Sequence, residues 1–421
     1  LKPCLRYLSK LPGMPRVVAS RLVAAVRGWH SELRGAALER RISQDPTDVP
    51  SRCAAAALYC RQVGTPGASD GDEALLHKAS RHLEHVLAAT SNPQRLYEVI
   101  SQAVGPRLFY KLPEITARYM HKISLDQVCL KEFDTHSEFE ERATPYHLAN
   151  ALTVLKAAGC RDAAQALFEE AVALEWKGKR PIRWRRLEQT PAVYVDGLDH
   201  QAFWEGELRP QIAVLLEDEA QRTGELGEAL EELRVLCRGR QQPTAVPAYP
   251  ALVENNSGTW DMLQLYSGRE WHPEACALAP KTSAMLRRYL PTANVPYIHY
   301  NTEEVVLFLL TPGSGVRLHN GGSNVPINIS FGLSGCEGAY LEVAGERRAM
   351  QDGHVICFDD GSDHRVWHEG PEDRWVLTVR VMHPQLAENP APFFARAFTR
   401  RTCFESWDAA RAARLAGQAA K

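Results

Sequence analysis

Residues 15–175 carry apolar positions at helical spacing, interrupted by polar turns. Ala-rich windows recur at Cys53–Gln62, Glu73–Ala89, Asn92–Val104 and Leu112–Ile123. The clearest unit is a helix over His147–Gly159 followed by a second over Arg161–Leu174. Leu148, Leu152 and Leu155 share one face of the first, while Ala164, Leu167, Phe168, Ala171 and Leu174 share one face of the second. Gly159 stands where a helix C-terminus favours a left-handed residue. Small residues at Ala149, Ala163 and Ala171 permit close approach, so the pair resembles one tetratricopeptide hairpin. Only one such copy is found, and an array needs about three to be stable alone. A further helix is expected over Glu205–Leu236, where Leu208, Ile212, Leu215 and Leu216 are apolar.

Beyond Pro243 the texture changes to short β-type runs: Trp260–Tyr266, Glu303–Thr311, Val325–Leu333, Ala339–Val343, His354–Phe358, Arg365–His368 and Trp375–Met382. Turn residues separate them, among them Pro312-Gly313, Gly321-Gly322, Gly345, Asp352-Gly353 and Gly370-Pro371. Many short strands at this spacing predict an antiparallel sandwich or barrel.

A chain of 421 residues exceeds one ordinary core and implies two domains, or a domain with a helical arm. The formal net charge of −2 implies no global polyelectrolyte partner. No stretch of 18 apolar residues offers a membrane-spanning helix. The ten cysteines show no CxxC pair and several lie in apolar runs, so buried free thiols in a reducing compartment are expected. Residues 1–31 hold six Lys or Arg and no acid, with Val17, Leu22, Val23, Val26 and Trp29 forming an apolar stripe. That pattern suggests an organellar, mitochondrial transit segment; the competing reading is a basic helix on an acidic partner of a cytoplasmic protein. The chain begins at Leu1 rather than Met, so its natural start is expected to lie elsewhere. In residues 176–192, Trp176 and Trp184 are interleaved with basic residues; the 177–186 stretch could track a nucleic-acid backbone. The run is short and isolated, which favours a solvated connector instead.

Two histidines suggest chemistry. His319 follows a strand and the Pro312-Gly313 turn, and His364 lies 45 residues later, with about four strands between them. In a jelly roll that separation returns the chain to the mouth of one barrel. Neutral imidazoles suit Fe(II) with open coordination positions, although two histidines alone are a weak signal.

The surrounding run strengthens it: Pro312-Gly313, His319, Asn324, Gly332-Leu333, Gly353, Phe358-Asp359-Asp360, His364, Val366-Trp367, Arg374 and His383-Pro384. With Gly258-Thr259-Trp260-Asp261-Met262 and Tyr194 to Trp204 upstream, it resembles the aspartyl/asparaginyl β-hydroxylase family of 2-oxoglutarate oxygenases over about residues 190–390. The resemblance implies an α+β protein: a helical, tetratricopeptide-like region (1–175), a basic linker (176–192), a double-stranded β-helix of the jelly-roll, cupin-like kind (193–390) and a helical tail (391–421). It implies Fe(II) held by His319 and His364, with Gly321 where most 2-oxoglutarate oxygenases place a carboxylate. Arg374 matches the residue that grips the distal carboxylate of 2-oxoglutarate, a role for which a guanidinium fork is suited. Trp260 is expected to wall that pocket, and Asp360 to orient His364.

The chain also departs from the family. Asn328 and Ser330 stand where the family carries an Arg and a His, and Phe308 where it carries a Ser. Asn328 and Ser330 are expected to hydrogen-bond a co-substrate in the missing residues' place. Two functions follow from the resemblance. One is a 2-oxoglutarate- and Fe(II)-dependent dioxygenase that hydroxylates a side chain of a protein substrate. The other is an impaired oxygenase fold serving as a structural or binding subunit, with the helical region meeting a protein partner in a large organellar assembly. Neither the substrate nor the assembly is specified by the sequence.

Overall fold

The computed structural model describes residues 31–64, 71–90, 93–124, 146–173 and 183–388, except 32, 105, 193, 207–208, 219, 221, 240–245, 248–251, 254–257, 268–269 and 291–302. The basic N-terminal segment, residues 176–182 of the expected linker and the expected C-terminal tail lie outside the described residues. The chain divides into two compact units, the first built on residues up to 135 with 150–163, the second on the remainder.

The first unit is helical, and each Ala-rich window falls on a helix: Val49–Gln62, Asp72–Ala89, Pro93–Glu98 and Pro113–Ser124. Asp48 caps the first by accepting from the Ser51 amide at 2.9 Å, which satisfies one of the amides a helix start leaves open. Leu75, Ala79, Leu83 and Val86 of the second helix are buried at one-turn intervals, as an amphipathic helix requires. A π-helical stretch over Val99–Val104 and a four-residue helix over Pro106–Phe109 interrupt the series. Helices so unequal in length give no repeat, and a tetratricopeptide array is not confirmed. The expected hairpin helices do form, as Tyr146–Ala157 and Arg161–Ala173. Gly159 takes φ +75° between them, and the Cys160 amide closes on the Leu155 carbonyl at 2.9 Å.

The second unit opens with irregular chain and two helices where one was expected. Glu205–Leu236 divides into Gln211–Glu217 and Gly224–Arg238. The Arg222 guanidinium fills the break: it donates to the Leu216 and Glu217 carbonyls at 2.8 and 2.9 Å, and to the Gly353 carbonyl at 2.6 Å. Carbonyls stranded at a helix C-terminus thereby gain partners.

The strands are β1 (Val246–Pro247), β2 (Trp260–Tyr266), β3 (Glu304–Leu310), β4 (Ser314–His319), β5 (Pro326–Ser334), β6 (Ala339–Val343), β7 (Glu346–Ala349), β8 (Val355–Asp359), β9 (His364–His368) and β10 (Arg374–Met382). They form two antiparallel sheets, ordered β1-β2-β3-β10-β5-β8 and β4-β9-β6-β7. From β3 onward the chain crosses between the sheets at every step except the β6–β7 hairpin, the connectivity of an eight-stranded jelly roll. All seven β-type runs read from the sequence are strands. The others escaped that reading for local reasons: β4 (SGVRLH) follows a Pro-Gly turn and contains glycine, and β7 (ERRA) has no apolar alternation.

Period-two alternation sorts the large sheet's faces. Ile327, Ile329, Phe331, Leu377, Val379 and Val381 join Leu230, Leu233 and Leu286 in the main core. Phe358, Val376, Leu341 and Val343 belong to a second core with Phe203 and Met350. On β5, Asn328 and Ser330 alternate with the main-core residues and are nonetheless buried. Polar side chains inside a sandwich mark a site rather than packing. Phe331 is fully buried at the centre of the main core. Phe331→Ala is expected to destabilise this unit by about 3–5 kcal/mol in chemical denaturation, the usual cost of such a cavity.

Candidate functional site

β4 and β9 bring the two histidines together. They are register partners, and their ring centroids lie 4.2 Å apart. A register shift between Val316 and His319 separates this pair from the regular ladder. His319 Nδ1 lies 2.7 Å from the Arg317 carbonyl and His364 Nδ1 2.8 Å from the Ser362 carbonyl. A carbonyl can only accept, so each Nδ1 carries the proton and each Nε2 keeps its lone pair. This is the tautomer that a metal-ligating imidazole takes. Burial, followed by the neighbouring His364, pushes the His319 pKa down to about 3; burial also lowers that of His364. Both rings are therefore neutral. Among the described residues no group of three His, Cys, Asp or Glu side chains converges as a metal site. His364 is oriented by the Ser362 carbonyl rather than by Asp360, which corrects the role expected for that carboxylate.

Asp360 instead spans the two histidine loops. Its carbonyl accepts from the Gly321 amide at 2.6 Å, and a Cβ on Gly321 would meet its Oδ2 at 2.0 Å. Glycine at 321 is thus required by the approach of Asp360. Burial would raise the Asp360 carboxyl, but Arg380, His364 and Asn328 together hold it below its usual range. Asn328 Nδ2 donates to Asp360 Oδ1 at 3.0 Å, and Ser330 Oγ donates to Asn328 Oδ1 at 3.2 Å. Asn328 and Ser330 therefore serve this carboxylate and each other, not a position beside Arg374.

Arg374 and Trp260 both lie opposite Leu310 of β3, in one cross-strand row. Arg374 is 5% exposed, and its Nε and Nη1 have no hydrogen-bond partner. Burial brings its pKa down to about 10, so it remains a cation. Phe308 lies opposite Val376, one row along, and its ring leans on Trp260 with centroids 5.3 Å apart. The Trp260 ring is in turn 6.4 Å from that of His319. Trp260, in the cross-strand row that also holds Arg374, thus links Phe308 of β3 to the histidine pair.

Residues 183–204, including part of the expected linker, hold the site from behind. Trp184 is buried and donates to the Pro191 carbonyl at 2.9 Å. Arg183 and Arg185 are paired with Asp196, and Arg186 contacts His200 Nδ1 at 2.8 Å. Asn324, in the loop after His319, exchanges two hydrogen bonds with the Val195 backbone. Gln189 donates to Asp359 Oδ2 at 2.7 Å, and His200 Nε2 contacts Ser362 Oγ at 2.8 Å. Both contacts fix the turn that delivers His364.

Residues 228–384 match the family model for aspartyl/asparaginyl beta-hydroxylase. The match places a domain similar to this family in the C-terminal region. Over 130 residues, 31% of this chain, it is 30% identical to mouse aspartyl/asparaginyl beta-hydroxylase, of whose length the match covers 17%. Over 134 residues it is 30% identical to human aspartate beta-hydroxylase domain-containing protein 2, covering 31% of this chain and 35% of that one. The matches thus span well under two thirds of these relatives. A Pseudomonas putida prolyl-4-hydroxylase structure overlaps at 16% identity and a TM-score of 0.28, covering 41% of this chain and 98% of that one, too loosely to add to the assignment.

The sequence reading missed Arg380, Glu304, Gln189 and His200. Arg380 carried a signal, a lone charge in the apolar run Val379-Arg380-Val381. Gln189 and His200 carried none, because their partners lie more than 160 residues away.

Two groups behind the turn titrate in opposite senses. Burial, then Gly361 and Asp360, leave the Asp359 pKa raised to about 8, so the nearby His200 at 3.6 Å is not its ion-pair partner at neutral pH. Burial, then Arg186, lowers that of His200 to about 4. The raised Asp359 withdraws stability as pH climbs from its unfolded value through 8; the depressed His200 withdraws it as pH falls from its unfolded value through 4. Between these limits the slopes oppose, at no more than about 1.4 kcal/mol per pH unit each. Asp359→Asn should abolish the decline of stability above about pH 6.5 and steepen that on the acid side, read as unfolding free energy against pH.

Proposed function

We propose that the C-terminal domain is a non-haem Fe(II), 2-oxoglutarate-dependent oxygenase that hydroxylates a side chain of a protein substrate. The observation that carries the reading is the chemical fit of two groups. The histidine pair presents two neutral rings with Nδ1 tied to carbonyls, leaving Nε2 for a divalent metal. Arg374 is a buried guanidinium with unpartnered N–H groups, and a buried cation in that state favours an anionic ligand. Its planar fork suits a carboxylate, such as the distal one of 2-oxoglutarate.

When bound, the metal and 2-oxoglutarate supply the oxidising chemistry, in which C–H hydroxylation accompanies conversion of 2-oxoglutarate and O₂ to succinate and CO₂. His319 and His364 would hold the ion in a fixed geometry, because backbone carbonyls lock both rings. Arg374 would anchor and orient the co-substrate through its unpartnered N–H groups. Gly321 contributes no ligand, so the His319 loop leaves coordination positions open.

A second reading, a structural or binding subunit, is favoured by Asn328 and Ser330, whose hydrogen bonds serve Asp360 and each other. Under either reading the helical unit is the proposed contact for a protein partner. A mitochondrial location is proposed from the basic, acid-free start of the chain.

Full-length protein with Fe(II) and 2-oxoglutarate should release succinate in a metal-dependent manner, and His364→Ala should abolish it. Arg374→Met should raise the KM for 2-oxoglutarate by about one to two orders of magnitude, the loss expected for one charged hydrogen-bonding partner. No succinate with any candidate peptide would leave only the binding-subunit reading.

A further inference from the structure

A row of polar side chains crosses the large sheet beside the histidine pair. Glu304 on β3 and Asn328 on β5 both stand directly opposite Arg380 on β10. Arg380 Nη1 donates to Glu304 Oε2 at 2.7 Å, and its Nε lies 3.3 Å from Asp360 Oδ1 in an ion pair. Glu304 also accepts from Gln264 at 2.8 Å. Asp360 is 1% exposed, and a carboxylate so deep stays ionised only where donors and positive charge reach it. Asn328 gives it a neutral donor; Arg380 gives it the charge.

The held carboxylate has a mechanical role. Asp360 Oδ2 occupies the space where a Gly321 side chain would begin, while the Asp360 carbonyl takes the Gly321 amide at 2.6 Å. Gly321 is two residues past His319 and Asp360 four before His364. The Asp360–Gly321 tie stands beside a second one between the two histidine-bearing loops, in which Asn320 Nδ2 donates to Asp363 Oδ1 at 3.3 Å. Without a cation at Oδ1, the carboxylate gains by turning toward solvent or taking up a proton, and either change loosens the tie.

We propose that Arg380 is a positioning residue for the metal centre, holding the Asp360 carboxylate against Gly321 and so fixing the spacing of His319 and His364. The proposal rests on the reading of those histidines as metal ligands. It requires a cation in this cross-strand row but not on a particular strand, because residues 328 and 380 face each other and share the Asp360 carboxylate. A residue that merely fills the core would not allow its charge to be transposed.

The test is a Mn(II) titration of the full chain, followed by calorimetry and by the electron paramagnetic resonance spectrum of the bound ion. Thermal unfolding of the metal-free proteins checks folding. Arg380→Asn should weaken Mn(II) binding by about 10- to 100-fold, as loss of an outer partner of a metal site does, and should broaden the spectrum. Arg380→Lys should recover part of the affinity. The transposed pair Asn328→Arg with Arg380→Asn should recover most of it and narrow the spectrum again. Wild-type affinity and spectrum in folded Arg380→Asn would overturn the proposal. So would a folded transposed protein that binds Mn(II) at least about 10-fold more weakly than wild type, an outcome readable even if Arg380→Asn alone does not fold. A wild-type chain that binds no Mn(II) would overturn the ligand reading first, and this proposal with it.

Discussion

The pairing of His319 with His364 across β4 and β9 is the constraint on which the site depends. One histidine ends its strand and the other begins its own, so both rings project at the same end of the small sheet. Each ring is then locked by a carbonyl two residues before it, which means the strand ends themselves select the tautomer. The space where a Gly321 side chain would begin is occupied by Asp360, so residue 321 could not bear a side chain without displacing it.

Three buried charges near this pairing meet three different fates. Asp360 stays ionised because Arg380 and Asn328 reach it. Asp359, one residue earlier, accepts hydrogen bonds from Gly361 and Gln189, and burial raises its pKa to about 8. Arg374 keeps its charge with two N–H positions unmatched. Desolvating a guanidinium without an anion is costly, and Arg374 is the case of the three whose N–H groups are left without a protein partner. That asymmetry separates a structural network from a binding residue more sharply than position in a motif does.

Alternation made the strands legible. Runs such as Trp260–Tyr266 and Trp375–Met382 have one face apolar and were placed within a residue of their bounds. Turn chemistry hid β4, and the absence of apolar residues hid β7, whose Arg347 instead stacks on Tyr340. The Glu205–Leu236 helix failed because its break depends on Arg222 reaching Gly353, a contact that no local pattern encodes. The histidine pair and Arg374 were legible as motif residues, whereas what they touch was not. Asp360 looked like the natural partner of His364, since ligating imidazoles often bond carboxylates; the strand end supplied a nearer carbonyl.

The same long-range logic bears on where this domain begins. The family match starts at residue 228, yet Gln189, Val195 and His200 all hold residues of the histidine loops. Asp363 donates its amide to the Glu188 carbonyl at 2.7 Å, and Trp204 donates its own to Cys357 at 2.8 Å. Phe203 bridges to Phe358 and lies in the second core. Strands inside the matched region have ladder partners of their own, but the turn from Asp359 to His364 draws many of its bonds from residues 188–202. A turn that must hold one histidine against another cannot rely on its own backbone, since loops lack a ladder to fix them. The upstream segment supplies that ladder's equivalent. Its sequence looks like a connector because its work is done by backbone groups and by single polar side chains, which leave no periodic trace.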